Sequence, residues 1–443
     1  MRRLPFAVLF ALLAWAPPVL AAAGGGSSGF GGGGGGGGGG GFSGGGSGGT
    51  TSGSAAGFVF VALIVLVFVI VAIVGFFAER RRRRRRDARA ARVRLAAAEA
   101  AEDDGAFHPE VVEREAAALF TTVQKAWTAR DVDALVPLCG PDLLVEWRRR
   151  LKDFARKGWH NQVTVVGEPE VHYVGLVNRE ADDEDRVVVL VEATLRDVVV
   201  DRKGQRIKRK DSSSETTTLR EYWTLAKRDG RWTLRSIEQL GEGDHHLESE
   251  IVASPWGDGR LRDEALVETA VADAAGDAAE VAQLVDLDFA GDARAAALDL
   301  SLVDGRFAPD VLEACARAAV AAWVEAIDGE DDPLLAVADQ AAVDALLYPR
   351  GDRRARRVVR GARVEHMTLV ALDGASDPPR MVVELALAGR RYLEDRDTAA
   401  VLDGSREREV RWTERWTFAL RDGTDTPWTV AGAGDAPVPQ ATA

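Results

Sequence analysis

A chain of 443 residues with 46% hydrophobic and 28% charged residues holds enough apolar material for two ordinary cores, so two folded units are expected. The net charge of −13 is unevenly spread, because residues 1–86 hold nine Arg against one Glu, or +8, which leaves −13 − 8 = −21 for the rest. An acidic folded region repels phosphate backbones and argues against nucleic-acid binding, while two cysteines, Cys139 and Cys315, each in a predicted helical segment of a different unit, exclude a disulfide framework and fit a reducing compartment.

The N-terminus sets the compartment. Residues 1–23 have a basic start, an apolar stretch from Leu4 to Ala16 and small residues at Val19, Ala21 and Ala23, the pattern of a secretory signal peptide cleaved after Ala21 or Ala23. Residues 24–57 follow as a Gly-rich segment, with eleven Gly in a row from Gly31 to Gly41, and are expected to be a disordered external linker. Residues 58–78 carry no charge and at about 1.5 Å per residue cover roughly 31 Å, one bilayer core. They are predicted to form a transmembrane helix. Glu79 and seven consecutive arginines, Arg80, Arg81, Arg82, Arg83, Arg84, Arg85 and Arg86, come next, and the positive-inside rule keeps that flank cytoplasmic. The chain is therefore expected in the cell membrane with a single span, its N-terminus external and its folded units cytoplasmic. The arginine run acts as a stop-transfer anchor and offers contacts to anionic headgroups. Only seven of the 56 basic residues are Lys, a bias that fits a GC-rich bacterial genome.

Residues 79–103 are rich in Ala and Arg and predict an Arg-rich juxtamembrane stalk helix, with the folded region starting just beyond it. There the sequence repeats itself. "DGAFHPEVVE" at Asp104–Glu113 returns as "DGRFAPDVLE" at Asp304–Glu313, each placing Pro and an acid at a helix start, where the helix dipole favours negative charge. Both helices run to a tryptophan, Trp127 and Trp323. In copy one a further helix is predicted over Pro141–Lys157, then extended segments at Gln162–Val166, Val171–Asn178, Arg186–Val200, Thr216–Lys227 and Arg231–Gln239. Copy two has helical pattern to about Leu347, then strands near Arg357–Leu372, Met381–Tyr392, Arg408–Leu420 and Trp428–Ala431. "EYWTLAKRDGRWTL" predicts a hairpin with a two-residue Asp229-Gly230 turn, Leu225 opposite Leu234, and Trp223 and Trp232 on one side. "ERWTFALRDGTDTPWTV" gives Trp416, Phe418, Trp428 and Val430 the same parts with a longer turn. Helices first and antiparallel strands after, twice, mean an α+β protein of two tandem units.

Several residues invite chemistry. Asp244, His245, His246 and Glu248 are metal-ligand types, but adjacent histidines without a second spaced pair are a weak signal, and no metal or cofactor is expected. One of His172 and Tyr173, neighbours on a predicted strand, could point into a pocket beside Asp197, yet no paired carboxylates or nucleophile-base spacing accompany them, so an enzyme is not expected. Phe120, Trp127, Trp147, Tyr173, Trp223 and Trp232 either pack as core or line a pocket that could hold an acyl chain.

The helices-then-sheet order, "QKAWTARD", "LVEWRRRL", "REYWTL…DGRWTL" and "SIEQLGEGDHHL" resemble the family of mitochondrial inner-membrane translocase subunit 44. The resemblance covers Phe107 to about Ala275 and implies a cone-shaped, nuclear-transport-factor-2-like fold. Copy two resembles only the broader cone fold. The resulting division is a first cone domain at 104–275, a linker helix at 276–300, a divergent second cone domain at 301–434 and a disordered tail at 435–443. The resemblance implies a membrane-side adaptor that contacts lipid and tethers protein partners of unspecified identity. A ribosome or nascent-chain receptor is the next reading, and a pocket enzyme of the cone fold the last.

Overall fold

The structure, a computed structural model, describes residues 55–207, 216–255, 263, 267, 287–327, 329–422 and 426–435, with most side chains of 55–79 outside that set. The expected signal peptide and the Gly tract through residue 54 lie outside the described residues.

Helix α1 (Ala55–Asp103) is continuous over 49 residues. It covers the backbone of the apolar stretch 58–78, the arginine run and the expected stalk. Among the described residues no helix is long and apolar enough to cross a membrane. The expected free stalk is instead packed: Val93, Ala97 and Ala100, spaced to share one helix face, are at most 1% exposed in the first core. The folded region therefore begins inside α1, before Asp104.

The first unit continues with α2 (Pro109–Ala129), a single turn α3 (Val132–Leu135), and α4 (Pro141–Lys157), which starts on Pro at its first turn and ends on Gly158 in the left-handed conformation. A four-stranded antiparallel meander follows in the order β1 (His160–Val177), β2 (Arg186–Val200), β3 (Thr216–Arg228), β4 (Arg231–Gln239). The two segments expected at 162–166 and 171–178 are one long strand, β1, interrupted by register shifts between Val166 and Glu170 and between Tyr173 and Gly175. Such shifts bend a strand, and the bend curves the sheet around the helices.

The second unit repeats the plan. A three-residue strand β5 (Leu287–Phe289) and helix α5 (Ala293–Ser301) precede α6 (Pro309–Ala326), α7 (Asp332–Leu335) and α8 (Gln340–Leu347). The sheet comprises β6 (Ala355–Asp373), β7 (Arg380–Asp395), β9 (Val410–Leu420) and β10 (Trp428–Asp435), with β5 added in parallel to β6 and the short β8 (Val401–Gly404) paired to β7.

The repeated motifs meet in space, which explains why they recur together. In the first hairpin Asp229 and Gly230 have φ of 50° and 70°, the two left-handed residues of a two-residue turn, and Leu225 faces Leu234 as expected. Trp232 then packs edge-on against Phe107 at 5.4 Å and donates its indole N–H to the carbonyl of Ala106 at 3.0 Å. In the second unit Trp428 packs on Phe307 at 5.4 Å and donates to the carbonyl of Arg306 at 2.8 Å. Each "DGxF" turn is thus the seat for the second tryptophan of its own hairpin. The first tryptophan goes deeper: Trp223 lies 5.1 Å from Phe120 and Trp416 lies 5.8 Å from Trp323, all at most 1% exposed. Its indole donates in each unit to a buried carboxylate two residues earlier, Glu221 at 3.2 Å and Glu414 at 3.1 Å.

Cys139 lies in the loop before α4, bridged to Leu234 on β4, and not within a helix; Cys315 is inside α6. Burial pushes both thiols up to about 12. Neither should react with iodoacetamide at neutral pH while its unit is folded, and both should label once denaturant unfolds the chain, which peptide mass spectrometry resolves site by site.

Candidate functional site

The arginine run does not present one uniform basic face. Arg86 is 8% exposed and sits 3.6 Å from Glu192 on β2, while Arg82 and Arg85 reach Asp244 at 3.7 Å and Glu248 at 3.5 Å. Arg80, Arg81, Arg83 and Arg84 are exposed. The expectation of seven headgroup contacts is corrected at Arg86, whose guanidinium is turned to the sheet, where it meets the partly buried carboxylate of Glu192. One turn on, Arg89 is 3% exposed and donates from Nε to the carbonyl of Val174 at 2.8 Å. Val174 falls at the β1 register shift, between Tyr173 and Gly175, and the arginine supplies a donor to its carbonyl.

The six aromatic candidates are core. Phe120, Trp127, Trp147, Tyr173, Trp223 and Trp232 are 0–6% exposed, and Trp127 stacks edge-on with Trp147 at 5.8 Å. An acyl chain in the first cone would have to displace these rings. The group of His172, Tyr173 and Asp197 is not assembled. Tyr173 pairs with Val189 and Asp197 with Val163 along the same β1–β2 ladder, so eight residues of β2, about 26 Å of strand, separate them. His172 is on the exposed side beside Glu170 at 3.3 Å, whereas Tyr173 is fully buried, and burial raises its phenol well above its ordinary value. Asp197 accepts from Asn161, which in turn accepts from the Trp127 indole at 2.8 Å. That chain is a structural brace for the helix layer.

The structure brings together instead a set of groups that the sequence left scattered, at the seam between the two units. Asp142 at the start of α4 accepts from Arg356 of β6 at 2.7 Å and also pairs with Arg396, just past β7. Arg149 and Arg150 of α4 reach Asp397 at 3.0 Å and Glu394 at 3.7 Å. Glu238 at the end of β4 faces Arg360 at 3.5 Å, and Glu242 faces Arg406 at 3.8 Å. Arg356, 3% exposed, further donates to the carbonyls of Ala326 and Gly329, both at 2.6 Å. A cavity of about 60 Å³, room for a water or two, lies within this seam and is lined by Asp142, Glu146, Arg150, Arg356, Arg360 and Glu394 among others. Burial raises Glu146 despite Arg150 beside it, and burial likewise raises Glu242.

The "EGDHHLE" segment folds as a 3-10 turn, Gly243–Leu247, that carries both histidines back over β4. His245 Nδ1 is 3.5 Å from Glu238 Oε2, His246 Nε2 is 3.3 Å from Glu238 Oε1, and the two rings are 4.0 Å apart. Burial drops His245 to about 4, so it is neutral near pH 7, while the imidazoles and Arg360 outweigh burial at Glu238 and keep its carboxyl well below the usual range. A second acidic group, Asp104, Asp182 and Asp185, surrounds the ammonium of Lys227, which is 2.8 Å from Asp182 and 3.4 Å from Asp185 and so fills the place a cation would take.

Helices packed on a curved antiparallel sheet, built twice and joined through ion pairs, define an α+β protein. In the first unit, residues 93–239 match the family described as the Tim44-like domain. The match opens at Val93, the first core residue of α1, and closes at Gln239, the last residue of β4. A comparison with curated proteins gives no match. Among solved structures the chain is similar to the intermembrane space region of the chloroplast protein ARC6, at 13% identity over 29% of this chain and 95% of that one, with a TM-score of 0.23. It is also similar to an Ntf2-like protein involved in plasmid conjugation, at 9% identity over 74% of this chain and 95% of that one, with a TM-score of 0.18. Scores this low carry no argument, and the fold rests on the sheets and helices described above.

Proposed function

We propose that the chain is a membrane-anchored adaptor: a single span at residues 58–78, an external N-terminus, and two cytoplasmic cone domains that tether protein partners beside the bilayer. The Tim44-like domain suggests a membrane-associated scaffold in general terms. The observation that carries the more specific reading is α1, one helix that holds the uncharged stretch, the arginine flank and the first core residues of the Tim44-like unit. Leu66, Ile70, Val74 and Phe77 on it are 51–62% exposed, and a bilayer is the solvent in which such side chains are at ease. The first domain runs from Val93 through β4 and its following turn, the second from β5 to β10. The four exposed arginines at 80, 81, 83 and 84 supply the headgroup contacts, each contributing about 1 kcal/mol near an anionic surface. The packed aromatics favour protein tethering over lipid carriage in the cone.

The test is topology and anchorage of the full chain. A fluorescent reporter that matures only in the cytoplasm, fused after Ala443, should be bright, and the chain should stay in the membrane pellet through alkaline extraction. Deleting residues 58–78 should release it. A dark reporter, or a pellet unchanged by the deletion, would overturn the reading.

A further inference from the structure

We infer that Glu238, His245 and His246 form a binding site for a divalent transition metal of the zinc class, placed at the seam between the two units. Four ligands at about 2.0–2.1 Å from a tetrahedral zinc lie about 3.3 Å from one another. The contacts His246 Nε2 to Glu238 Oε1 and His245 Nδ1 to Glu238 Oε2 measure 3.3 and 3.5 Å, and the ligand atoms of all three residues fall within 4.8 Å of one another. The donor set of two imidazoles and one carboxylate is a common zinc set with a fourth position to spare. Glu238 is 1% exposed and its Oε2, 3.5 Å from His245 Nδ1, accepts no hydrogen bond, so the site contains a buried anionic oxygen beside an imidazole with its acceptor capacity unused. Water can complete the shell.

Two groups must adjust. The Nδ1–H of His245 donates to the carbonyl of Glu242 at 3.0 Å, so metal binding at Nδ1 moves that ring proton to Nε2 and frees the carbonyl. Arg360, 3.5 Å from Glu238 Oε1, is a resident cation that competes with the metal for the same carboxylate. It has other partners in Tyr392 and Glu242, so it can yield without being stranded. Arg360 belongs to the second unit, and the backbone of the next residue, Gly361, presses on His245 so closely that an added Cβ would come within 2.8 Å of the His245 Cβ. Metal occupancy and the docking of the second unit are therefore linked through Arg360 and Gly361.

The experiment uses untagged full-length protein in detergent, stripped with chelator and dialysed against Zn²⁺, then assayed for metal by mass spectrometry and for Co²⁺ by absorption. About one equivalent of zinc and cobalt bands of tetrahedral intensity are expected. His246→Gln and Glu238→Gln should each weaken binding at least about 100-fold, beyond the 10–100-fold typical of losing an outer partner. Arg360→Gln, which removes the competitor, should tighten it several-fold. His172→Gln, on the exposed side of β1, should leave it unchanged. Iodoacetamide protection of Cys139 and Cys315 shows that each variant is folded. Wild-type protein that retains less than about a tenth of an equivalent, or uptake indifferent to both ligand substitutions, would overturn the assignment.

Discussion

Trp223→Ala should unfold the first unit at a denaturant concentration where the second is still intact, and Trp416→Ala should do the reverse. Each indole is fully buried, packs on an aromatic of the helix layer and donates to a buried glutamate. Truncation costs about 3–5 kcal/mol for the lost packing and cavity, a large share of the 5–15 kcal/mol that holds a domain together. It also leaves the carboxylate of Glu221 or Glu414 without that indole donor. Because Cys139 reports on one unit and Cys315 on the other, iodoacetamide labelling through a denaturant series reads the two separately. Trp223→Ala should expose Cys139 first. If both cysteines become reactive together in each mutant, the two units melt as one body and the separate cores do not have separate stabilities.

The second large effect is expected at the seam. Arg356→Met should loosen the docking of the two units by about 3–5 kcal/mol, the usual result of taking one partner from a buried ion pair. The lower end is the better expectation, since the Asp142 side chain is 23% exposed and keeps Arg396 as a second partner. The carbonyls of Ala326 and Gly329 lose their donor as well. Asp142→Asn alone should cost less, and the double substitution should cost less than the two singles added, because the pair is removed together. Small-angle scattering of the full chain in detergent, with salt varied, is the measurement: Arg356→Met should give a larger radius at moderate salt, and the wild type only at high salt. A radius identical in the two proteins across the series would mean that the ion pairs do not hold the units together.

Much of the fold was legible because its punctuation was strong. Pro141 and Gly158 bracket α4, and the ends expected for it, for β2 and for β4 are those observed. β5 and β8 were not seen: three residues cannot show a period, and the four of β8 are all exposed, so no alternation marks them. The stalk was misjudged for a related reason. Alanine is the best helix former and a small hydrophobe, so Ala97 and Ala100 look the same on a free rod as in a core. At the seam the difficulty is of another kind. "ARRVVRGARVEH" shows four arginines, but which carboxylates they meet depends on the fold, as Arg356 meets Asp142, 214 positions away. Likewise Glu238 lies seven residues before His245 and looked unrelated to it, until a 3-10 turn folded the histidines back over the end of β4. Short motifs state local geometry well and say little about what the chain later lays against them.

A hinge of 25 flexible residues between a bilayer and a domain would let that domain wander over roughly 25–30 Å. α1 allows nothing of the kind. From Ala78 to Arg86 is eight residues of helix, about 12 Å, and at Arg86 the rod is already bound to Glu192. On the single-span reading the first unit is mounted on a bracket, with its height and heading above the bilayer set by one rigid strut. A partner gripped there is presented at a fixed altitude, and any tilt of the span is passed to the cargo as a change of angle, as a boom follows its mast.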